Sequence, residues 1–444
     1  MNYRYALVAL TAAFTTLASA ANWPGFRGPN HDGSSPETGL PKTFSKTEGV
    51  KWIADMPGPA ASVPAIWGDT VFVSSSNPTT QKLIALALDA KTGKVKWQHE
   101  VTDGYQHDDR SNLANPSPCT NGEQAFFLYG TSVMVAYDFT GKEVWKRDLG
   151  KDYGKFGIQW TYASSPVLDG EKLYVQVLQR NHAYDYHGVQ KGDPNGKNES
   201  YILALDPKTG KELWRHVRPS DASEESLEAF STPVFYTHEG KRLMLISGGD
   251  TLTAHVAETG KELWRMTSYN SAKISHWRVV ASPAVGDGMA LVCAPKKEPV
   301  YAVKLDSSGT VPPTWASDGK QFSSDISTPL FYQGNFYVLD SDRKTLSCVE
   351  PKTGKVIWSG EYPTRYKLEG SPMGADGKIY TVDQLGGVFV VKAGGTSFEI
   401  VHQTSFGQDG TTATNGDKLV RATIAVSNGC LFIRAQDRLY CIGK

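Results

Sequence analysis

LDAKTGKVKW, Leu88 to Trp97, recurs along the chain in the form apolar-Asp-x-x-Thr-Gly-Lys-x-x-Trp. It returns as YDFTGKEVW ending at Trp145, LDPKTGKELW at Trp214, HVAETGKELW at Trp264 and VEPKTGKVIW at Trp358. A worn copy, LDSSGTVPPTW, ends at Trp315, and a fragment, VKW, ends at Trp52 without its Thr-Gly. A second phrase, a small or β-branched residue followed by Pro and then two short strands around a Gly turn, marks Pro64, Pro118, Pro166, Pro233, Pro283, Pro329 and Pro372. An eighth copy has lost its Pro, since ATIAV at 422–426 matches ASPAV at 281–285. Successive Trp positions lie 45, 48, 69, 50, 51 and 43 residues apart.

Each period holds the same content: a strand after the Pro, an alternating apolar strand such as KLYVQV, a third such as YILALD, the Thr-Gly turn, and a strand ending in Trp. Four short antiparallel strands in every 40–50 residues make a propeller blade. The Gly after Thr suits a turn position with positive φ. The Trp is large and flat, as a side chain filling the gap between neighbouring blades should be. On this reading Trp52, Trp97, Trp145, Trp214, Trp264, Trp315 and Trp358 are blade-docking residues. The sequence therefore predicts an all-β, eight-bladed β-propeller of four-stranded antiparallel blades over residues 50–444. The last blade has only three strands, around ATIAVS, CLFIRA and RLYCIG, before Lys444. Val50–Ile53 supplies the fourth, so the N-terminal strand closes the ring and removes its open edges. Residues 21–49 read as an extended N-terminal arm packed on the outside.

The 444 residues carry 46 basic and 46 acidic side chains, so no charge excess favours nucleic acid or anionic lipid. Eleven per cent aromatics exclude bulk disorder, and 43 Gly with 24 Pro fit many tight turns. Residues 1–20 have one Arg, an apolar stretch and an Ala18-Ser19-Ala20 site, which reads as a signal peptide cleaved after Ala20. The expectation is a periplasmic or secreted monomer without a transmembrane segment; no Cys near the cut provides a lipid anchor. Cys119, Cys293, Cys348, Cys430 and Cys441 are scattered without a C-x-x-C, so zinc, thioredoxin-like and c-haem readings have no support. Cys430 and Cys441 flank a hairpin and are the best-placed pair for a disulfide.

The repeat resembles the pyrroloquinoline quinone (PQQ) enzyme repeat, with its tryptophan-docking motif, over nearly the whole chain beyond the leader. WPGFRGPNHDG, Trp23–Gly33, is similar to the opening of exported PQQ-like propellers that have no assigned activity. The resemblance implies one of two branches. In quinoprotein alcohol dehydrogenases, PQQ lies between a Trp platform and a disulfide of adjacent Cys, with Ca²⁺ on Glu, Asn and Asp. The other branch is non-catalytic and BamB-like. This sequence has no adjacent Cys pair. The expected function is thus a non-catalytic binding or scaffold module for a protein or small ligand, with no cofactor. A PQQ- and calcium-dependent oxidoreductase of alcohols or sugars is the alternative, and a polysaccharide-binding propeller stacking sugars on Trp160, Trp277 and Tyr366 is the third.

Loops from each outer strand to the next inner strand, and from each second to third strand, open on one face of a propeller. Residues just before each inner strand should line the channel mouth there: Asn115, Trp160, Tyr162, Glu228, Phe230, His276, Trp277, Arg278, Asp325, Tyr366, Glu369 and Arg421. Arg, carboxylate and aromatic groups in one ring suit a flat anionic ligand, by pairing and stacking. His276 would act as a general base if Asp325 oriented it. The third repeat is over-long, and Asp193, Asn195, Asn198 and Glu199 in the extra segment form a faint calcium-loop pattern. His107-Asp108-Asp109 and His182/Asp185/His187 are further metal candidates. No phosphate loop, nucleophile elbow or H-E-x-x-H pattern occurs, so kinase, hydrolase and zinc-protease readings fall away.

Overall fold

The middle strands of each repeat are apolar on both faces, and the architecture follows from that. In Lys82–Asp89, Leu83, Ala85 and Ala87 enter one core cluster while Ile84, Leu86 and Leu88 enter another. Such a strand is stable only inside a sheet sandwiched between two others. The outer strand Val95–Asp103 is mostly exposed and buries chiefly Trp97 and Val101. A computed structural model describes residues 21–108, 110–185, 190–408, 410, 412 and 416–444. The expected leader 1–20, Asp109 and His187 lie outside the described residues. Eight sheets of consecutive antiparallel strands radiate around a central channel. The first blade is Ala65–Trp67, Thr70–Asn77, Lys82–Asp89 and Val95–Asp103.

The eighth blade is composite. Ala425–Ser427, Cys430–Ala435 and Arg438–Ile442 come from the C-terminus, and Val50–Asp55 adds the outer strand with Trp52 opposite Cys441 and Asp55 opposite Arg438. The ring closes as expected. Cys430 and Cys441 lie diagonally on adjacent strands, Phe432 being opposite Cys441, and both are free thiols. Their mutual contact, with Lys51 nearby, lowers the Cys430 thiol and raises that of Cys441.

Trp and Gly of the repeated phrase meet across blades. Trp52, Trp97, Trp145 and Trp315 each donate Nε1 to a carbonyl in the next blade's Thr-Gly turn, at Ala90 (2.8 Å), Phe139 (3.2 Å), Pro207 (2.7 Å) and Pro351 (2.8 Å). The turn glycines Gly93, Gly141, Gly210 and Gly354 have φ from +68° to +89°, and a Cβ on any of them would come within 2.7 Å of the docked indole.

Two features depart from the regular reading. The worn fifth copy does not form a tight turn. Its Gly309–Val311 pairs in parallel with Glu262–Met266, giving the fourth blade a fifth strand and covering its edge. The arm also does more than pack outside. Leu40 and Phe44 do pack on the ring's outer seam, but residues 23–35 cross the channel end opposite the loop-rich mouth. There Trp23 exchanges backbone hydrogen bonds with Ile66 in blade 1, and Thr120 N donates to Pro24 O from blade 2. Arg27 donates to Pro329 O and Pro372 O in blades 6 and 7. Fully buried, its guanidinium is lowered to about 10 by desolvation.

Candidate functional site

The plug makes the channel a blind cup. Phe26 lies on the wall of a cavity of about 500 Å³ that opens at the mouth. Of the residues read from the sequence, Asn115, Trp160, Phe230, Arg278, Asp325, Glu369 and Arg421 line it. Tyr162, Glu228, His276, Trp277 and Tyr366 do not. Tyr162 is fully buried and donates its hydroxyl to Gln176 O. Trp277 packs into the core cluster that runs from blade 3 to blade 5, while its neighbour Arg278 takes the channel side. Tyr366 pairs with Arg365 outside the cavity, and His276 is exposed without an ion pair to Asp325 among the described residues. Asp325 instead accepts from Lys296 N at 2.9 Å, so the general-base arrangement does not form.

Further lining residues come from positions the sequence reading passed over: Arg110, Lys296, Lys297, Asp342 and Lys367. Several sit in second-to-third-strand loops, which open on the same face. The lysine pair between Pro295 and Pro299 was the available signal. Among the described residues, six Arg and Lys thus face the cavity against three carboxylates, Asp325, Asp342 and Glu369. A neutral chain has concentrated positive charge in one low-dielectric cleft, where it acts over longer range than on open surface.

Trp160 is the aromatic wall. The guanidinium carbons of Arg110 and Arg278 each lie 5.9 Å from its ring centroid. Its loop is fixed from two sides. Asp108 accepts from Arg110 N (2.7 Å), Ser111 N (2.8 Å) and Thr161 N (2.9 Å), so this proposed metal ligand is engaged in holding two loops together. Glu228 accepts from Gln159 N at 3.0 Å and from Arg180 Nε at 2.5 Å. Burial raises the Glu228 carboxyl to about 7 against the opposing pull of Arg180.

The cavity carboxylates are engaged as well. Glu369 pairs with Arg421 at 2.6 Å, and Asp342 pairs with Lys367 at 2.6 Å and Lys297 at 3.7 Å. In the extra segment Asn198 accepts from Asp193 N and donates to Asp193 O, Asn195 N donates to Asp193 Oδ1, and Glu199 pairs with Arg215. These contacts close a polar turn on itself. Among the described residues no group of three or more His, Cys, Asp or Glu is placed to hold a metal. The donor set of a calcium-assisted quinone site does not fit this cavity: Glu369 and Asp342 pair with cations, Asp325 takes a main-chain N–H, and no cysteine is among its described lining residues. The cationic walls and Trp160 do fit a flat anion.

Lys296 and Lys297 have φ of +61° and +66°, the only adjacent non-glycine pair with positive φ among the described residues. Glu298 N donates to Pro295 O at 3.2 Å, closing a tight turn of the kind that favours Asn-Gly. Each lysine there costs roughly 1 kcal/mol of backbone strain.

A family profile described as "Outer membrane protein assembly factor BamB" matches residues 43–188 and 198–444. The chain belongs to this family. Among curated relatives, the BamB-family chain is 28% identical to a polyvinylalcohol dehydrogenase of a Pseudomonas species over 204 residues, 45% of this chain and 29% of the relative. It is 25% identical to the outer membrane protein assembly factor BamB of Alteromonas naphthalenivorans over 288 residues, 62% of this chain and 61% of that one. The chain thus spans less than two thirds of the length of these relatives. In fold, this BamB-family ring superposes on the quinohemoprotein alcohol dehydrogenase of Comamonas testosteroni with a TM-score of 0.66 at 13% identity, covering 95% of this chain and 81% of that one. It is a PQQ-like propeller, with kin in both branches.

Proposed function

We propose that this chain is an exported, non-catalytic binding module that takes a small, flat, anionic molecule into its blind cup. Among the described lining residues, the excess of six cations over three carboxylates in a cavity walled by Trp160 carries the reading. Arginines flanking an indole offer paired hydrogen bonds to carboxylate, sulfonate or phosphate while the ring stacks on the ligand core. Stacking of a long sugar chain has less support, since Trp277 is buried and Tyr366 is turned aside.

The dehydrogenase reading draws on relatives named for that activity and on Trp160 as a platform. Against it stands the commitment of Asp325, Asp342 and Glu369 to Lys and Arg partners or to main-chain N–H. Calorimetric titration of PQQ, itself a flat polycarboxylate, separates the two. The binding module predicts saturable one-to-one binding that calcium does not alter, lost in Trp160→Ala and Arg278→Ala, with no dye reduction by alcohols. Calcium-dependent binding with alcohol-driven dye reduction would establish the oxidoreductase instead. Absence of heat with PQQ and with simpler aromatic anions would move the search to protein partners.

A further inference from the structure

We propose that the ligand of this cup carries a second anionic group, and that the Lys296–Lys297 turn is the subsite that receives it. The inference rests on the binding role proposed above and names the charge pattern of the ligand. Other tight hairpins solve the same backbone problem with glycine. Glu239-Gly240, Asp287-Gly288, Gln333-Gly334, Asp376-Gly377 and Asn428-Gly429 each place one non-glycine residue at φ +47° to +55° and a glycine at +69° to +80°. At 296–297 a lysine stands where the others have glycine. A left-handed backbone disfavours any Cβ, and the contact of the Lys297 side chain with Asp342 at 3.7 Å is duplicated by Lys367 at 2.6 Å. What the second lysine adds is an ammonium group, and both lysines are exposed to the cavity. Local sequence in conflict with local structure is expected where a site imposes its own demand.

Placement gives the spacing its meaning. Trp160 stands between blades 2 and 3, with Arg110 and Arg278 beside it. The lysine turn belongs to blade 5, and Lys367 enters between blades 6 and 7, half a ring away from Trp160. Lys297 and Lys367 share Asp342, so two ammonium groups face one carboxylate there. Lys296 satisfies Asp325 through its main-chain N–H, which does not use its side chain. One anionic group of a flat ligand meets the arginines at the indole, and a second, at the far end of the same core, meets the lysines.

The test compares naphthalene-2-sulfonate with naphthalene-2,6-disulfonate, titrated calorimetrically into the purified protein and into the double variant Lys296→Asn/Lys297→Gly. The disulfonate should bind the wild type about tenfold more tightly, as expected of one added charge-assisted contact. The variant should lose that preference and bind both probes alike, any loss common to the two reporting the lower positive charge of the cup, and should melt at the same or a higher temperature. Equal affinity of the two probes in the wild type, or a preference retained in the variant, overturns the lysine subsite and leaves the binding role standing. A lower melting temperature of the variant removes the strain argument and with it the assignment. Failure of both probes to bind overturns the binding role and the subsite together.

Discussion

Trp52 and Gly93 meet across the seam where the ring closes: Trp52 Nε1 donates to Ala90 O at 2.8 Å, and a Cβ on Gly93 would lie 2.6 Å from the indole. The outer strand of the last blade is thereby keyed to the turn of the first. Gly93 also has φ +70°, so Gly93→Ala combines a left-handed alanine with a clash. The expected loss is about 1–3 kcal/mol in denaturant unfolding. Trp52→Ala, which empties a site buried to 7% exposure, should cost about 3–5 kcal/mol. An unchanged midpoint for both would refute the docking role.

Removal of residues 50–53 tests the same seam from the strand side. These residues carry Trp52 and the pairing of Ile53 with Tyr440. Without them Arg438–Ile442 becomes an unpaired edge, and the melting temperature should fall markedly, accompanied by concentration-dependent association through the exposed strand. A truncated chain that melts like the parent would show that the ring does not depend on its composite blade.

The repeat made the ring legible because period and turn chemistry recur in nearly every blade. It did not show how far each side chain turns. Arg278 and Trp277 are adjacent in a loop, and the structure sends one to the cavity and the other to the core. Loop residues have no fixed alternation, so position before an inner strand gives proximity to the channel and not direction. The plug was illegible for a related reason. WPGFRGP has turn residues throughout and no periodicity, and it is located by long-range contacts such as those from Arg27 to Pro329 and Pro372, 302 and 345 residues away in sequence.

Arg27 gives the plug its own test. Its two terminal nitrogens reach carbonyls in two different blades as well as Asp32 O. Arg27→Lys keeps the charge and loses the planar fork, leaving at least one buried carbonyl unpaired. The expected loss is about 1–3 kcal/mol, with faster proteolysis of the segment before Val50. Equal stability and equal protease resistance would show that the arm holds without the clasp.

Glu228 links stability to pH through the loop of Trp160. Its carboxyl, fully buried beside Arg180, is raised by desolvation to about 7 from an ordinary 4.5. Between those values the folded chain keeps a proton that the unfolded chain has released. The stability from this group is therefore full below about 4.5, declines as pH rises through the interval, and is lost above 7. Glu228→Gln cannot release the proton, so the melting temperature of the variant minus that of the wild type should become more positive from pH 5 to pH 8. The variant keeps an acceptor for Gln159 N, so binding of a flat anion at Trp160 should weaken only a few-fold. A difference that is flat in pH would show that Glu228 does not titrate there. A flat difference is also what a contact with Arg180 that outweighed burial would give, because a carboxyl held below its ordinary value is already charged at both ends of that window.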